Sequence, residues 1–145
     1  MTPQDRARRS AEAMWTDDRA SQAMGMVLAE VGPGTATATM TVRDDMANGH
    51  GIAHGGYIFA LADTAFAFAC NSYNTRVVAQ SNAITYLTPG HVGEELTARC
   101  TEVHRAGRSG VYDVTVTGAD GRRIALFRGQ SRQVSGAHFA EDDGT

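Results

Sequence analysis

Residues 48–72, NGHGIAHGGYIFALADTAFAFACNS, constrain this chain more than any other stretch. They begin as a glycine-rich loop and continue as one long apolar helix. From Gly55 through Cys70 that helix carries a single charge, Asp63. Every neighbour from Tyr57 to Cys70 is apolar, small or, at Thr64, a hydroxyl. An aspartate is rarely fully buried unless it is paired or at work, and taking a carboxylate out of water is costly. Asp63 is therefore a candidate catalytic carboxylate. The alternative is a helix with one wet face on which Asp63 lies.

Gly55 and Gly56 stand where the helix starts. The first N–H groups of a helix have no partner inside it, and the helix dipole favours negative charge there. Such an end receives an anion or a developing oxyanion. Glycine lets a carbonyl approach the backbone closely. A plain loop-to-helix turn would use the same two glycines, so the stronger signal is a donor end and a lone acid on one helix. Two other patterns in the loop lead nowhere. Gly49, Gly51 and Gly55 lack the spacing of a dinucleotide loop, and no βαβ unit surrounds them. His50 and His54 are four apart but sit in a glycine-rich loop with no third ligand in register, so no metal site is expected.

Residues 4–24 read as helix, with Ala11, Ala13, Met14 and Trp15 apolar and with Asp17 and Asp18 placed to cap a second short turn. Two strands follow within residues 25–43, divided at Gly32-Pro33-Gly34. In the second, alternation from Thr35 turns Ala36, Ala38, Met40 and Val42 to one side. After the apolar helix the chain is nearly all β. Strands are expected from Val77 to Leu87, from Glu95 to His104, from Val111 to Thr117 and, past the hairpin signal Asp120-Gly121, from Ile124 to Val134. The tail over residues 135–145 is small, polar and acidic and reads as disordered.

An apolar helix cannot be left against water, so the strands must curl around it. The expected fold is α+β, a long central helix wrapped by a curved antiparallel sheet, which is the hot-dog architecture. A length of 145 residues favours one domain over residues 1–145 with a real core. Residues 1–24 form a peripheral helix in that reading. A net charge of −3 gives no pull toward nucleic acid or an anionic membrane. The apolar run is shorter than a bilayer span and holds an acid, and the polar stretch Thr2 to Arg9 is followed by no apolar segment. A soluble, cytoplasmic protein is expected. Cys70 and Cys100 match no metal or disulfide spacing and read as reduced packing residues.

Asn48-Gly49-His50, then His54-Gly55-Gly56, then Leu61-Ala62-Asp63-Thr64-Ala65-Phe66-Ala67 resemble the hot-dog acyl-CoA thioesterases of the PaaI type, which belong to phenylacetate degradation. The resemblance continues through Tyr86-Leu87-Thr88-Pro89-Gly90, Gly110-Val111-Tyr112-Asp113 and Ala125-Leu126-Phe127-Arg128-Gly129, covering roughly residues 20–134. It is highly specific from Asn48 to Asn71, less so in the strands, and shows no departure at the motif positions. It implies hydrolysis of a phenylacetyl- or related aryl-acetyl-coenzyme A thioester without a cofactor. It implies Asp63 as general base or nucleophile and the Gly55 N–H as the group that polarises the thioester carbonyl. Asn48, His54 and Gly56 match loop positions that shape the substrate site, and Thr64 matches a position beside the acid that binds water or substrate.

The residues support that chemistry independently. A thioester needs a nucleophile and a place for its oxyanion, and one backbone donor there contributes roughly 3–4 kcal/mol to transition-state stabilisation. Asp63 can deprotonate water or attack the carbon itself; the sequence leaves both routes open. No G-x-S-x-G elbow is present. Gly55 and Asp63 are eight residues apart, roughly 12 Å along a helix. A carbonyl held at Gly55 is thus too far from Asp63 of its own chain. Two antiparallel helices about a two-fold axis bring Gly55 of one subunit to Asp63 of the other. A homodimer with shared sites is expected, paired into a homotetramer as is frequent in the family. Arginine suits the phosphates of coenzyme A. Among Arg76, Arg105, Arg108, Arg128 and Arg132, the turn-flanking Arg105 and Arg108 are favoured. Two other classes remain: a dehydratase or hydratase pairing His54 with Asp63, and a non-catalytic acyl-CoA-binding module.

Overall fold

The computed structural model describes residues 1–142. Helix α1 (Pro3–Asp17) opens on a capping box: Thr2 Oγ1 accepts the Asp5 N–H, and the Asp5 carboxylate accepts the Thr2 N–H. It stops at Asp18, whose side chain caps α2 (Arg19–Ala23) by accepting the Ser21 N–H. The helical stretch expected over residues 4–24 is therefore two helices, with Asp18 the cap of the second.

Strands β1 (Val27–Gly32) and β2 (Thr35–Thr41) form a hairpin whose turn is closed by Gly34 at φ 71°, a left-handed conformation that glycine adopts without strain. In β2 the residues Ala36, Ala38 and Met40 are buried, following the alternation of the sequence. A loop with one 3-10 turn (Asp44–Met46) leads to α3 (Gly55–Cys70). Four strands follow, β3 (Val77–Tyr86), β4 (Glu95–Ala106), β5 (Ser109–Thr117) and β6 (Arg123–Gln133). The sheet runs β1-β2-β4-β5-β6-β3 with every pair antiparallel.

Helix α3 lies against the inner face of this sheet. Ile58, Leu61, Ala62, Ala65, Phe66, Phe68 and Ala69 are buried, and Phe66 packs on Phe127 and Tyr112 with ring centroids 5.8 and 5.6 Å apart. Gly129 makes room for that ring, since a Cβ there would come within 2.7 Å of Phe66. The helix is not covered on every side. Gly56, Ala60, Asp63 and Ala67 recur every three or four residues and stay partly or fully exposed. Among the described residues strand β3 is an edge strand, paired with β6 alone, and Val78 and Tyr86 on it are each 49% exposed.

The tail expected to be disordered folds back as far as the described residues go. Asn74 Oδ1 accepts the N–H groups of His138 (2.9 Å) and Phe139 (3.2 Å), and Asn74 Nδ2 donates to the Phe139 carbonyl at 3.0 Å. Glu141 pairs with Arg6 at 2.8 Å, and the Arg9 guanidinium lies 4.2 Å over the Phe139 ring. Residues 143–145 fall outside the described residues. The composition of the tail hides this, because buried amides on the loop after α3, rather than apolar surface, hold it.

Candidate active site

Asn48 shapes the loop before α3. Its Oδ1 accepts the N–H groups of His50 (2.9 Å) and Ile52 (3.4 Å), a side-chain-closed turn. The backbone of His54 is then fixed by its N–H to the Met46 carbonyl at 2.8 Å. His54 is the N-cap of α3: its Nδ1 accepts the Gly56 N–H at 2.9 Å, and its carbonyl accepts the Tyr57 N–H at 3.0 Å. With Nδ1 an acceptor, a neutral His54 carries its proton on Nε2. The Gly55 N–H, between these occupied groups, makes no hydrogen bond among the described residues. It is the free donor at the start of the helix.

The two glycines have separate reasons. A Cβ on Gly56 would lie 3.0 Å from His54 Nδ1, inside the cap, and a Cβ on Gly55 would lie 3.1 Å from Cζ and Oη of Tyr86. Tyr86 also donates its hydroxyl hydrogen bond to the Gly55 carbonyl at 2.9 Å. The space that glycine leaves at position 55 is thus taken by a tyrosine from the end of β3. Gly55 and Tyr86 border a groove of about 370 Å³ with Asn48, Ile52, Ile58 and Leu87.

Asp63 lies two turns further along α3, half-buried. Burial pushes its carboxyl above the usual range, and a hydrogen bond from Asn82 Nδ2 at 3.3 Å opposes that rise. Thr64, the next residue, faces elsewhere. Its Oγ1 is 3.2 Å from Ser21 Oγ on α2. Ser21 donates its one hydroxyl proton to Asp18 at 2.8 Å, so Thr64 is the donor in that pair. The Thr64 hydroxyl thus spends its proton on Ser21 and keeps its oxygen lone pairs as acceptors.

Arg105 and Arg108 lie by the other end of α3. The Arg105 guanidinium stacks 3.7 Å over the Tyr73 ring, and a hollow there is bordered by Cys70, Arg105 and Arg108. A helix of this length spans about 24 Å, so one chain does not bring these arginines to its own Gly55. Both thiols are buried, and burial pushes Cys70 up to about 12 and Cys100 upward as well. Neither has the exposed, low-pKa setting of a reactive thiolate. Among the described residues no group of three His, Cys, Asp or Glu stands together as a metal site, and no helix is long and apolar enough to cross a membrane.

Two residues beside the expected set were not read from the sequence. Tyr86 belongs to a quoted motif, but nothing local says that it reaches the helix start. Asn82 is a lone amide in a β segment, and simple alternation does not settle its face.

A six-stranded antiparallel sheet wrapped on one central helix makes this an α+β hot-dog protein. The chain belongs to the thioesterase superfamily, whose family model matches residues 50–125. It is 41% identical over 136 residues to the acyl-coenzyme A thioesterase PaaI of Escherichia coli K12, covering 94% of this chain and 97% of that one. The structure of the E. coli PaaI protein from the phenylacetic acid degradation operon superposes with a TM-score of 0.92 at 40% identity, over 94% of this chain and 99% of the other. The TT0310 protein of Thermus thermophilus matches with a TM-score of 0.76 at 38% identity, over 79% and 96%. A Streptococcus mutans protein bound to acetyl CoA matches with a TM-score of 0.74 at 28% identity, over 77% and 90%. The hot-dog fold and the thioesterase family expected from the motifs are both borne out.

Proposed function

We propose that this protein hydrolyses phenylacetyl-coenzyme A, or a hydroxylated aryl-acetyl-coenzyme A, to the free acid and coenzyme A. Asp63 carries the reading: a half-buried carboxylate on an otherwise apolar helix, its charge disfavoured by burial and held by one amide. A carboxylate in that setting is a stronger base than one in water. Asp63 takes a proton from water as the water oxygen attacks the thioester carbon. The Gly55 N–H receives the oxyanion. Collapse of the intermediate breaks the C–S bond, and the proton on Asp63 passes to the leaving sulfur. The likeness to E. coli PaaI supports the aryl-acetyl substrate.

The site is shared between two subunits. Strand β3 presents ten residues of unpaired edge, which a second β3 can extend. The stripe Gly56, Ala60, Asp63 and Ala67 is small enough for a partner helix to approach closely, and the two-fold axis sets Gly55 beside the partner's acid. Asp63 and Cys70 are seven residues apart, about 10 Å of helix. The subunit that supplies Asp63 therefore carries its Arg105 and Arg108 beyond the reacting carbon, on the side where the phosphates of coenzyme A extend. Such dimers pair into a homotetramer, and the enzyme works in the cytoplasm. His54 caps the helix through Nδ1, which accepts the Gly56 N–H.

Thiol release from phenylacetyl-CoA, followed with a thiol-reactive dye for wild type and Asp63→Asn, tests this reading. Wild-type turnover with a loss of about a hundredfold or more in the variant is expected. Turnover that survives in Asp63→Asn removes Asp63 from the chemistry. Wild type without turnover on any aryl-acetyl thioester refutes the substrate class.

A further inference from the structure

Among the described residues, one side chain hydrogen-bonds Asp63, and an irregularity in β3 aims it. In the β3–β6 ladder Val77 pairs with Gln133 and Ala79 with Ser131; Ser81 then pairs with Gln130, Asn82 with Gly129 and Ile84 with Phe127. Two steps along β3 between Ala79 and Ser81 match one step along β6, so Gln80 is an extra residue, a β-bulge. Val77 and Ile84 both pack against the core although they are seven residues apart. An unbroken strand with Val77 inward would turn residues 79, 81 and 83 inward and send 82 and 84 outward. The bulge shifts the phase, and Asn82 with Ile84 faces α3 instead. Its cross-strand neighbour is Gly129, which has no side chain to crowd it.

The amide arrives at a cost. Asn82 Nδ2 donates to Asp63 Oδ1 at 3.3 Å, and Asn82 Oδ1 is then buried with no partner among the described residues. Turning the amide over would set its oxygen against the carboxylate. A buried acceptor without a partner is destabilising, and an apolar side chain of similar size would fill the place without that loss. What the asparagine supplies and an apolar residue lacks is the N–H toward Asp63.

We propose that Asn82 is the positioning residue of the hydrolysis, holding one oxygen of the Asp63 carboxylate so that the other meets the attacking water, and that the bulge at Gln80 aims it. This rests on Asp63 being the base. The same N–H favours the ionised carboxylate against burial. The groups acting on Asp63 are few: Asp18 at the start of α2 is bonded to Ser21, on the side toward Thr64, and Cys70 on α3 feels the charge of Asp63 but, pushed up to about 12, stays neutral. Burial and Asn82 are the two influences that set the Asp63 carboxyl.

The test uses Asn82→Leu, which keeps the bulk, and Asn82→Ala, which cannot clash, in the phenylacetyl-CoA assay. The expected kcat falls by about tenfold to a hundredfold while KM changes by less than about twofold. The acid limb of the kcat/KM profile moves to higher pH, and Asn82→Leu melts within about 2 °C of wild type or above it. Wild-type kcat and an unmoved acid limb in both variants overturn the proposal. So does a loss of activity that only follows a loss of folded protein with the limb unmoved; if Asn82→Leu does not fold, Asn82→Ala decides alone. Survival of turnover in Asp63→Asn would overturn the base and this inference together. An inactive Asp63→Asn beside an unaffected Asn82→Leu would overturn this inference alone.

Discussion

Replacing Gly55 by alanine should separate activity from stability. The backbone at Gly55 is ordinary helix, so alanine fits its torsions. The new methyl would sit 3.1 Å from Cζ and Oη of Tyr86 and 3.4 Å from Cε1. Comfortable carbon contacts begin near 3.5–4.0 Å, so the ring must withdraw by about half an ångström. Tyr86 is half-exposed and can swing outward, giving up its 2.9 Å bond to the Gly55 carbonyl. That bond is worth about 1 kcal/mol, and alanine returns up to about 1 kcal/mol by restricting the unfolded chain. The net change in stability stays within about 1 kcal/mol, or about 4 °C in melting temperature for a chain of this size. The free Gly55 N–H shifts with the helix start, and the methyl narrows the groove beside it. A displacement of this order at a reacting centre lowers kcat/KM by about ten- to a hundredfold. Thiol release and a melting curve on one preparation measure both. Mixing Gly55→Ala chains with Asp63→Asn chains then reports on sharing, because random dimers of the two hold about a quarter of the wild-type sites intact. Wild-type kcat/KM in Gly55→Ala would refute the donor role, and no recovery on mixing would refute shared sites.

Two further outcomes follow from particular contacts. Burial holds the Asp63 carboxyl above its usual 3.8, so between 3.8 and the raised value the folded protein binds more protons than the unfolded chain. Stability from this group then falls as pH rises through that window and stays lower above it. Asp63→Asn should melt above wild type at neutral pH, with the gap closing as pH drops into the usual carboxylate range; equal melting temperatures at neutral pH would refute the assignment. Asn74→Gly keeps the backbone at φ 59° without strain but removes three hydrogen bonds that hold His138 and Phe139. Chymotrypsin should cleave after Phe139 faster by about tenfold or more, and an unchanged rate would mean that the side chain does not hold the tail.

Much of the fold could be read from local patterns. The apolar run of α3, the alternation of β2, the Gly32-Pro33-Gly34 turn and the Asp120-Gly121 hairpin each carry their information in neighbouring residues. The lone acid and the two glycines could be picked out for the same reason. What stayed hidden is whatever a single strand phase or a long-range contact decides. Period two assumes an unbroken strand, and β3 has an extra residue at Gln80, so a count from Val77 turns Asn82 away from the helix while a count from Ile84 turns it inward. Tyr86 fills the space at Gly55 from thirty-one residues away, and a local reading assigns that space to a ligand instead. The tail is polar and reads as free, yet Asn74 matches its backbone bond for bond. Beside Asp63 the chain departs from regular geometry, with a bulge and an orphaned amide oxygen on β3. Regularity is what stability alone would favour. Departures gathered on the strand that faces one acid mark the place where this sequence gives up regular structure for chemistry.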